Sequence, residues 1–431
     1  MNNKQTDRTI SLASATFIIV GYVIGASIFI LPGSLAAGTG PAVFVAYALA
    51  AIPAILAGFV MAQIGSVLPV SGANYVLLRD ALTPYYGFLY QWIMVSMAAV
   101  VVPVIAFGFA DYLGYFVPGL PSKAVAAVLV LVFIVLNTFG IGVASVVQTV
   151  MVIVFVVVLA VFGIGGVAFG DPGHLQPLFP KGYSVLAIAA ITAYFSYAGV
   201  FVIAEIAGEI KQPGRNIPKA ILLAFVIIIV LYTMVPLALS MLVPWQQHGG
   251  TPMAVVTASQ LFLPGPFVSL IAIAALFAAA TSVNGILLGL SRDFYQAAND
   301  GLFPPWFARV GPKTGTPVRA VMLVGLLSFA GLMMGGAIID FAQLALIGLM
   351  IIQIMTGVAL IRLPQKMPQA FARSAFQLSR PKLIFVGIAY MVFSLIFLVI
   401  LAAEKVELLL IGIAYLLAGV IYRLIRNRKV K

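Results

Sequence analysis

The sequence predicts an all-α integral membrane protein. Hydrophobic residues make up 63% of its 431 residues and charged residues only 8%, which is more apolar surface than a soluble domain can bury. Twelve apolar segments follow one another along the chain, separated by short polar connections. Because each segment reaches the length at which a helix can cross a bilayer, we expect twelve transmembrane helices in a single domain that covers residues 1–431.

The twelve segments fall into two groups of five and a final pair. Segments 1–5 lie at about 14–37, 41–67, 85–117, 123–141 and 145–169. Segments 6–10 lie at about 185–209, 218–243, 266–297, 319–336 and 338–362, and segments 11 and 12 at about 383–403 and 406–425. No low-complexity linker interrupts them, and the connections after segments 2, 6 and 8 are short and contain proline.

The basic residues predict the orientation of the chain. The net charge is +12. If the N-terminus is cytoplasmic, only Lys123, Lys181 and Lys405 of the 23 lysines and arginines lie outside, and the other 20 lie inside. Such an asymmetry is the positive-inside pattern. We therefore expect a multi-pass protein of the cell membrane, inner or plasma, with both termini in the cytoplasm.

Segment 1 contains an interruption that is unusual for a membrane helix. Gly21–Gly33 reads GYVIGASIFILPG, and clustered glycine and serine followed by proline disfavour a continuous helix. Polar backbone groups freed at this depth are tolerated only where they face protein, water or a ligand. Some broken membrane helices use these groups, with the half-helix dipoles, to hold a small charged solute.

Segment 6 contains a second interruption, five segments after the first. Phe195–Val200 reads FSYAGV. Two interrupted helices at equivalent places in successive five-helix units indicate an inverted repeat. The alternative is that Gly25 and Gly199 only permit close helix packing, as small residues do at membrane interfaces. The presence of interruptions at equivalent places in segments 1 and 6 favours the inverted repeat.

Several classes of protein do not fit the sequence. The chain has no cysteine, which excludes disulfides, thiolate metal sites and a cysteine nucleophile. Its two histidines, His174 and His248, fall in predicted outer loops without metalloprotease spacing, so we do not expect an enzyme. The expected partners are a small solute and the lipid bilayer, not nucleic acid, and the expected state is a monomer or weak homodimer.

Three stretches resemble the amino acid-polyamine-organocation (APC) superfamily of transporters, specifically its amino acid permeases. Ile24–Pro32 reads IGASIFILP, similar to the glycine-rich signature of the first helix. Tyr194–Gly199 reads YFSYAG, and Glu209–Ala220 follows as EIKQPGRNIPKA. Ser291–Pro304 reads SRDFYQAANDGLFP and resembles the end of the eighth helix in this family.

The resemblance implies two inverted five-helix repeats with broken helices 1 and 6, followed by two further helices. It also implies a secondary active transporter that moves an amino acid or related amine by alternating access. A nutrient sensor built on a transporter fold is a remote alternative. It would be expected to carry an extra soluble signalling region, and the sequence shows almost none.

The resemblance also assigns the substrate-binding residues. Amides after the first interruption can donate to a substrate carboxylate, and exposed carbonyls of both broken helices can accept from its ammonium. The predicted substrate-binding residues are Ile24, Gly25, Ala26, Ser27, Phe195, Ser196, Ala198 and Gly199.

Phe195 and Glu205 are candidates for gating or coupling. Phe195 lies where such transporters place an aromatic gate, and an aromatic ring can close over the solute and shield it from water. Glu205 could line an inner vestibule, titrate during transport, or pair with a basic residue. Family members often carry glutamate where this chain has Phe201, so gating by an acid at that position is doubtful. Arg79 with Asp80, and Arg292 with Asp293, are candidate cytoplasmic ion pairs.

The coupling ion is left open. Some proton-coupled relatives have a lysine in helix 5 where this chain has Phe155. Phe277–Ser282 reads FAAATS and resembles sodium-coupled members of the fold. A sodium ion would be held by five groups, Gly21, Ile24, Ala278, Thr281 and Ser282. Uncoupled exchange and proton coupling are the alternatives, and no other cofactor is expected.

The predicted substrate is a neutral amino acid, small or apolar. Neither interruption contains an acidic residue to meet a cationic side chain, or a basic residue to meet an acidic one. Exchange of cationic amino acids or polyamines is the alternative, and Glu205 is the residue that supports it.

Overall fold

A computed structural model describes residues 8, 10–70, 72–138, 144–247, 253–311, 316–335 and 338–430, with only the backbone described at 144–148 and 427–430. The described chain is almost entirely helical. Each predicted segment corresponds to one helix or to consecutive helical pieces, which we number α1–α12 in chain order.

Their bounds follow the predicted segments closely. The helices are α1a (Leu12–Ile24), α1b (Ser27–Thr39), α2 (Val43–Val67), α3 (Pro84–Gly114), α4 (Ser122–Thr138), α5 (Ala144–Phe169), α6a (Gly182–Tyr194), α6b (Val202–Glu205), α7 (Pro213–Leu242), α8 (Gly265–Asn299), α9 (Val318–Met334), α10 (Ile338–Lys366), α11 (Arg380–Glu404) and α12 (Val406–Val430).

Helix length and hydropathy confirm a multi-pass membrane protein. Among the described residues, ten spans are long and apolar enough to cross a membrane, with α1a and α1b counted together and α6a counted with α6b. The helices α4 and α9 are apolar but have 17 residues each, near the lower limit for spanning.

Burial places α1 at the centre of the molecule and the last two helices at its edge. In the most apolar window of each span, 72% of residues are buried in α1, against 28% in α11 and 6% in α12. Apolar residues left exposed on α11 and α12 are what a lipid-facing helix requires. The helix that carries the first interruption is therefore the most enclosed of the described spans, and the span that carries the second is 61% buried.

The central helices pack in corresponding pairs. The half-helix α1a packs against α7, and α6a packs against α2. In the same way α3 packs against α10, and α8 packs against α5, while α3 and α8 also contact each other. These contacts bring both interruptions to the middle of the bundle.

The last helix is held to α3 by aromatic residues. The Trp92 indole Nε1 donates to the Tyr415 carbonyl at 3.0 Å, and Tyr415 Oη donates to the Trp92 carbonyl at 2.7 Å. Their rings stack with centroids 5.3 Å apart. These two hydrogen bonds satisfy the indole N–H of Trp92 and the phenol O–H of Tyr415 at membrane depth. They attach α12 to the outside of the central bundle.

The connection between α2 and α3 folds across one end of the bundle, which we call the inner end. Gly72 adopts the left-handed conformation (φ 71°) that glycine accommodates. Arg79 forms the predicted ion pair with Asp80 at 2.6 Å and a second one with Asp300 at 2.8 Å. The hydrogen bond to Asp80 raises the pKa of the Arg79 guanidinium further above its ordinary value. These pairs hold the connection against the end of α8.

Candidate functional site

The interruption of segment 1 lies between α1a and α1b. Gly25 has φ 38° and donates its amide to the Gly21 carbonyl at 3.0 Å, which ends α1a. The next half-helix begins at Ser27. The first amides of any helix lack intrahelical partners and carry the positive end of its dipole. The start of α1b can therefore receive an anionic group such as a carboxylate.

The interruption of segment 6 differs from the expected unwinding. Phe195–Phe201 forms a 3₁₀ helix between α6a and α6b. A 3₁₀ stretch within a longer helix often marks a functional hinge or strain, because its hydrogen-bond geometry is poorer. Segment 6 therefore changes from α-helix to 3₁₀ helix over the predicted residues, and its backbone does not unwind.

Gly199 brings the two interrupted segments into contact. A Cβ at this position would lie 2.3 Å from the Tyr22 carbonyl oxygen and 2.6 Å from the Val23 amide nitrogen. Both atoms belong to the α1a backbone, which cannot move aside as a flexible side chain can. Close packing therefore explains this glycine, whatever its role towards a substrate.

A cavity of about 230 Å³ lies where the two interruptions meet. Its volume suits a small molecule. Seven of the eight predicted substrate-binding residues line it, namely Gly25, Ala26, Ser27, Phe195, Ser196, Ala198 and Gly199. Ile24 does not line it, because its side chain is fully buried, although its carbonyl accepts from Ser27 Oγ at 3.2 Å.

One wall of the cavity is apolar and belongs mainly to α3. Met94, Met97, Val101, Val104 and Ile105 of that helix line it. Phe195 lies across the same cavity, partly buried against the core. Phe155, at the position of the missing lysine, is fully buried and does not line the cavity.

Tyr232 of α7 joins the two interruptions and was missed by the sequence analysis. Its hydroxyl donates towards the Val23 carbonyl and lies 3.0 Å from the Ser196 carbonyl and 3.2 Å from Ser27 Oγ. A tyrosine carries one hydroxyl proton, so it cannot satisfy both carbonyls at once. The hydroxyl therefore bridges the two interrupted segments, donating to one carbonyl at a time.

Two carboxyl groups lie at the inner end of the same cavity. Glu205 ends α6b, and its Oε1 accepts from Asn74 Nδ2 at 2.7 Å and from Tyr90 Oη at 2.8 Å. Asp293 of α8 lines the cavity beside it and is 9% exposed. The predicted Arg292–Asp293 ion pair is wrong, because Arg292 donates instead to the Leu288 carbonyl at 3.2 Å.

Asp293 could not be found from its neighbours in the sequence. It follows an arginine near the end of an apolar segment, and that arrangement is typical of an interfacial ion pair. The orientation of α8 against α6b decides its position, and no local pattern reports that orientation.

The five groups of the predicted sodium site are only partly brought together. A Cβ on Gly25 would lie 2.5 Å from Ser282 Oγ and 3.7 Å from the Gly21 carbonyl oxygen, so these two oxygens flank one point beside the break. The hydroxyls of Thr281 and Ser282 both donate to the Ala278 carbonyl, at 3.0 and 2.8 Å. Of the five groups, only Ser282 lines the cavity. The oxygens are hard ligands that fit sodium, but each already has a hydrogen-bond partner, which is the Gly25 amide for the Gly21 carbonyl and Ser27 Oγ for the Ile24 carbonyl.

His174 does not line the cavity. His174 lies beyond α5, and its Nδ1 is 2.8 Å from the Met241 carbonyl. His248 lies outside the described residues. Among those residues, no group of three or more histidine, aspartate or glutamate side chains could hold a metal ion.

Comparison with known proteins gives one consistent result. A family model described as "Amino acid permease" matches residues 10–419. The chain is 27% identical to the methylthioribose transporter of Bacillus subtilis and 26% identical to the branched-chain amino acid permease BcaP of the same organism, in each case over 85% of this chain and 83% of the relative. It is 29% identical to the vacuolar cationic amino acid transporter 8 of Arabidopsis thaliana, over 75% of this chain and 58% of that protein.

Replacing Gly199 with alanine should destabilise the fold by about 1–3 kcal/mol, because the new methyl group would overlap the α1a backbone. Gly289 provides a matched control, since it lines the same cavity and a Cβ there meets nothing within 4 Å. Gly289→Ala should leave the unfolding temperature unchanged or raise it slightly. The measurement is thermal unfolding of the purified protein in detergent. Equal unfolding temperatures for Gly199→Ala and the parent would show that the contact between α1 and α6 is not tight.

Proposed function

The chain belongs to the amino acid permease family, and we propose on that premise that it is a secondary active transporter of amino acids. The observation that carries this proposal is the cavity between the two interruptions. It combines the N-terminus of a half-helix, backbone of both interrupted segments and an apolar wall. The carboxylate of a zwitterion can face the half-helix N-terminus, and its ammonium can face backbone carbonyls. Its side chain can lie against the apolar wall.

We propose that transport occurs by alternating access of two inverted five-helix repeats. The helix packing supports this arrangement, because exchanging helices 1–5 for 6–10 converts the α1–α7 contact into the α6–α2 contact. The same exchange converts the α3–α10 contact into the α8–α5 contact. Phe195 would act as an aromatic gate over the solute. The transporter would lie in the cell membrane as a monomer or weak homodimer, with both termini cytoplasmic.

The proposed substrate is a neutral amino acid with an apolar side chain. The α3 wall supports this assignment, because methionine and branched side chains offer no polar partner to a charged group. Methionine also adapts to side chains of different shape. The similarity to a branched-chain amino acid permease agrees with it.

Cationic amino acids are the second candidate. The observation that favours them is the pair of carboxyl groups, Glu205 and Asp293, at the inner end of the cavity. Polyamines fall in the same class. The similarity to plant cationic amino acid transporters is consistent with this candidate.

Sodium is the proposed coupling ion, held by Gly21, Ile24, Ala278, Thr281 and Ser282. What supports it is the position of Ser282 Oγ beside the Gly25 break, opposite the Gly21 carbonyl. Bound there, sodium would add positive charge next to the proposed carboxylate site. For Thr281 and Ser282 to become ligands, their hydroxyl protons would have to turn away from it while their lone pairs face it.

Uptake by the purified protein in liposomes tests the substrate class. A panel of labelled amino acids and amines, with sodium and pH gradients imposed separately, should show uptake of leucine, valine or alanine. Arginine should bind at least about tenfold more weakly, because the apolar wall leaves its charge unmatched. The neutral assignment fails if arginine, putrescine or agmatine is transported while neutral amino acids neither move nor compete.

Substitution of both Thr281 and Ser282 by alanine should abolish sodium stimulation of uptake, because it removes the two side-chain ligands. Ser328→Ala is the matched control. Ser328 is a buried serine of α9 whose hydroxyl likewise donates to the carbonyl four residues earlier, at 2.9 Å, and it does not line the cavity. Uptake by the parent that does not depend on sodium would already refute the site.

A further inference from the structure

The inner end of the cavity contains two carboxyl groups and little to neutralise them. Glu205 and Asp293 both line it, together with Tyr90 and Tyr22. Within the part of the chain that the structure describes, no lysine, arginine or histidine lies within 4.0 Å of either carboxyl group. Unpaired charges at membrane depth are costly, so the pair requires a positive charge from another source.

The hydrogen bonds of Glu205 leave one oxygen without a donor. Oε1 takes both protein donors, from Asn74 and Tyr90. Oε2 is buried and has no hydrogen-bond partner among the described residues. An acceptor left in this state costs about 1–3 kcal/mol, more for a charged group. A donor is therefore missing at Oε2.

Asp293 is the neighbour that could supply the donor. Its carboxyl group lines the cavity together with that of Glu205. A Cβ on Gly72 would lie 3.8 Å from Glu205 Oε2 and 3.9 Å from Asp293 Oδ1, so glycine at this position leaves both oxygens facing one small space. Two ionised carboxylates that face one space repel each other, whereas a proton shared between them would supply the donor that Glu205 Oε2 lacks.

The charges around the pair are consistent with a single proton. The titratable groups that face it are Tyr90 from α3, Tyr22 from α1 and Arg292 from α8. Of these only Arg292 is charged at neutral pH. A pair that holds one proton carries a single negative charge, and Arg292, which also interacts with Glu209, offsets part of it.

We propose that Glu205 and Asp293 form a proton-binding site that holds one proton between their carboxyl groups at the inner end of the cavity. Binding takes one proton from water and converts two carboxylates into a hydrogen-bonded acid and carboxylate. No bond between heavy atoms changes. These residues do not overlap with those of the sodium site, so the two proposals are independent.

The site is also connected to the segment that closes the inner end. The Gly72 amide donates to the Glu205 backbone carbonyl at 3.1 Å, and Asn74 follows two residues later with its side chain on Glu205. The same residue therefore holds the proton and fixes the α2–α3 connection. The consequence that proton binding accompanies closure of this end rests on the proposed transport function, whereas the proton site itself does not.

Infrared spectroscopy of the full-length protein in liposomes tests the site without any transport assay. The C=O stretch of a protonated carboxylic acid should be present in the parent at neutral pH and disappear on alkaline titration. Glu205→Gln and Asp293→Asn should each remove this band, because the carboxyl that remains has no second carboxyl with which to share a proton. Asp111→Asn, which removes a carboxyl that does not line the cavity, should leave the band unchanged.

A more conservative variant tests the site in case the amide variants do not fold. Tyr90→Phe removes one donor to the charged form of Glu205 and should raise the pH at which the band disappears by about one unit. The proposal is overturned if the parent shows no such band, if the band persists in either amide variant, or if sodium removes it at constant pH. If the band behaves as expected but no amino acid is transported, the proposed function fails and the proton site stands.

Discussion

The arrangement of this molecule depends on the contact between the backbones of α1a and the 3₁₀ stretch of segment 6. Gly199 lets the two chains approach so closely that a Cβ would overlap the Tyr22 carbonyl. Polar backbone groups at membrane depth must find partners within the protein. Because both interruptions lie at this crossing, residues of both line one cavity. Tyr232 then completes the crossing, since its hydroxyl reaches carbonyls of both segments.

The cavity has one end with positive polarity, one end with acidic groups, and an apolar wall. At one end the start of α1b presents amides and a positive dipole. At the other end Glu205 and Asp293 present carboxyl groups that lack a basic partner among the described residues. The α3 wall separates them. The proposed zwitterion and the proposed proton would therefore meet different atoms of the same cavity.

The sequence predicts features that depend on residues within one segment. It does not predict features that depend on how the helices are oriented against each other. The break at Gly25 and the helix bounds could be predicted, because glycine, proline and apolar length act within one segment. Tyr232 and Asp293 could not, because each contacts segments far away in the chain. The 3₁₀ geometry of Phe195–Phe201 depends likewise on packing against α1.

Substrate protection of a single introduced thiol tests the central claim, that the α1 interruption is the solute site, most directly. The chain has no cysteine, so Ser27→Cys provides the only thiol, and Ser27 lines the cavity. A transported amino acid should slow its alkylation by a maleimide in proportion to occupancy, while Asp111→Cys should be alkylated at an unchanged rate. An unchanged rate at Ser27→Cys under saturating substrate, in a variant that still transports, would contradict the account.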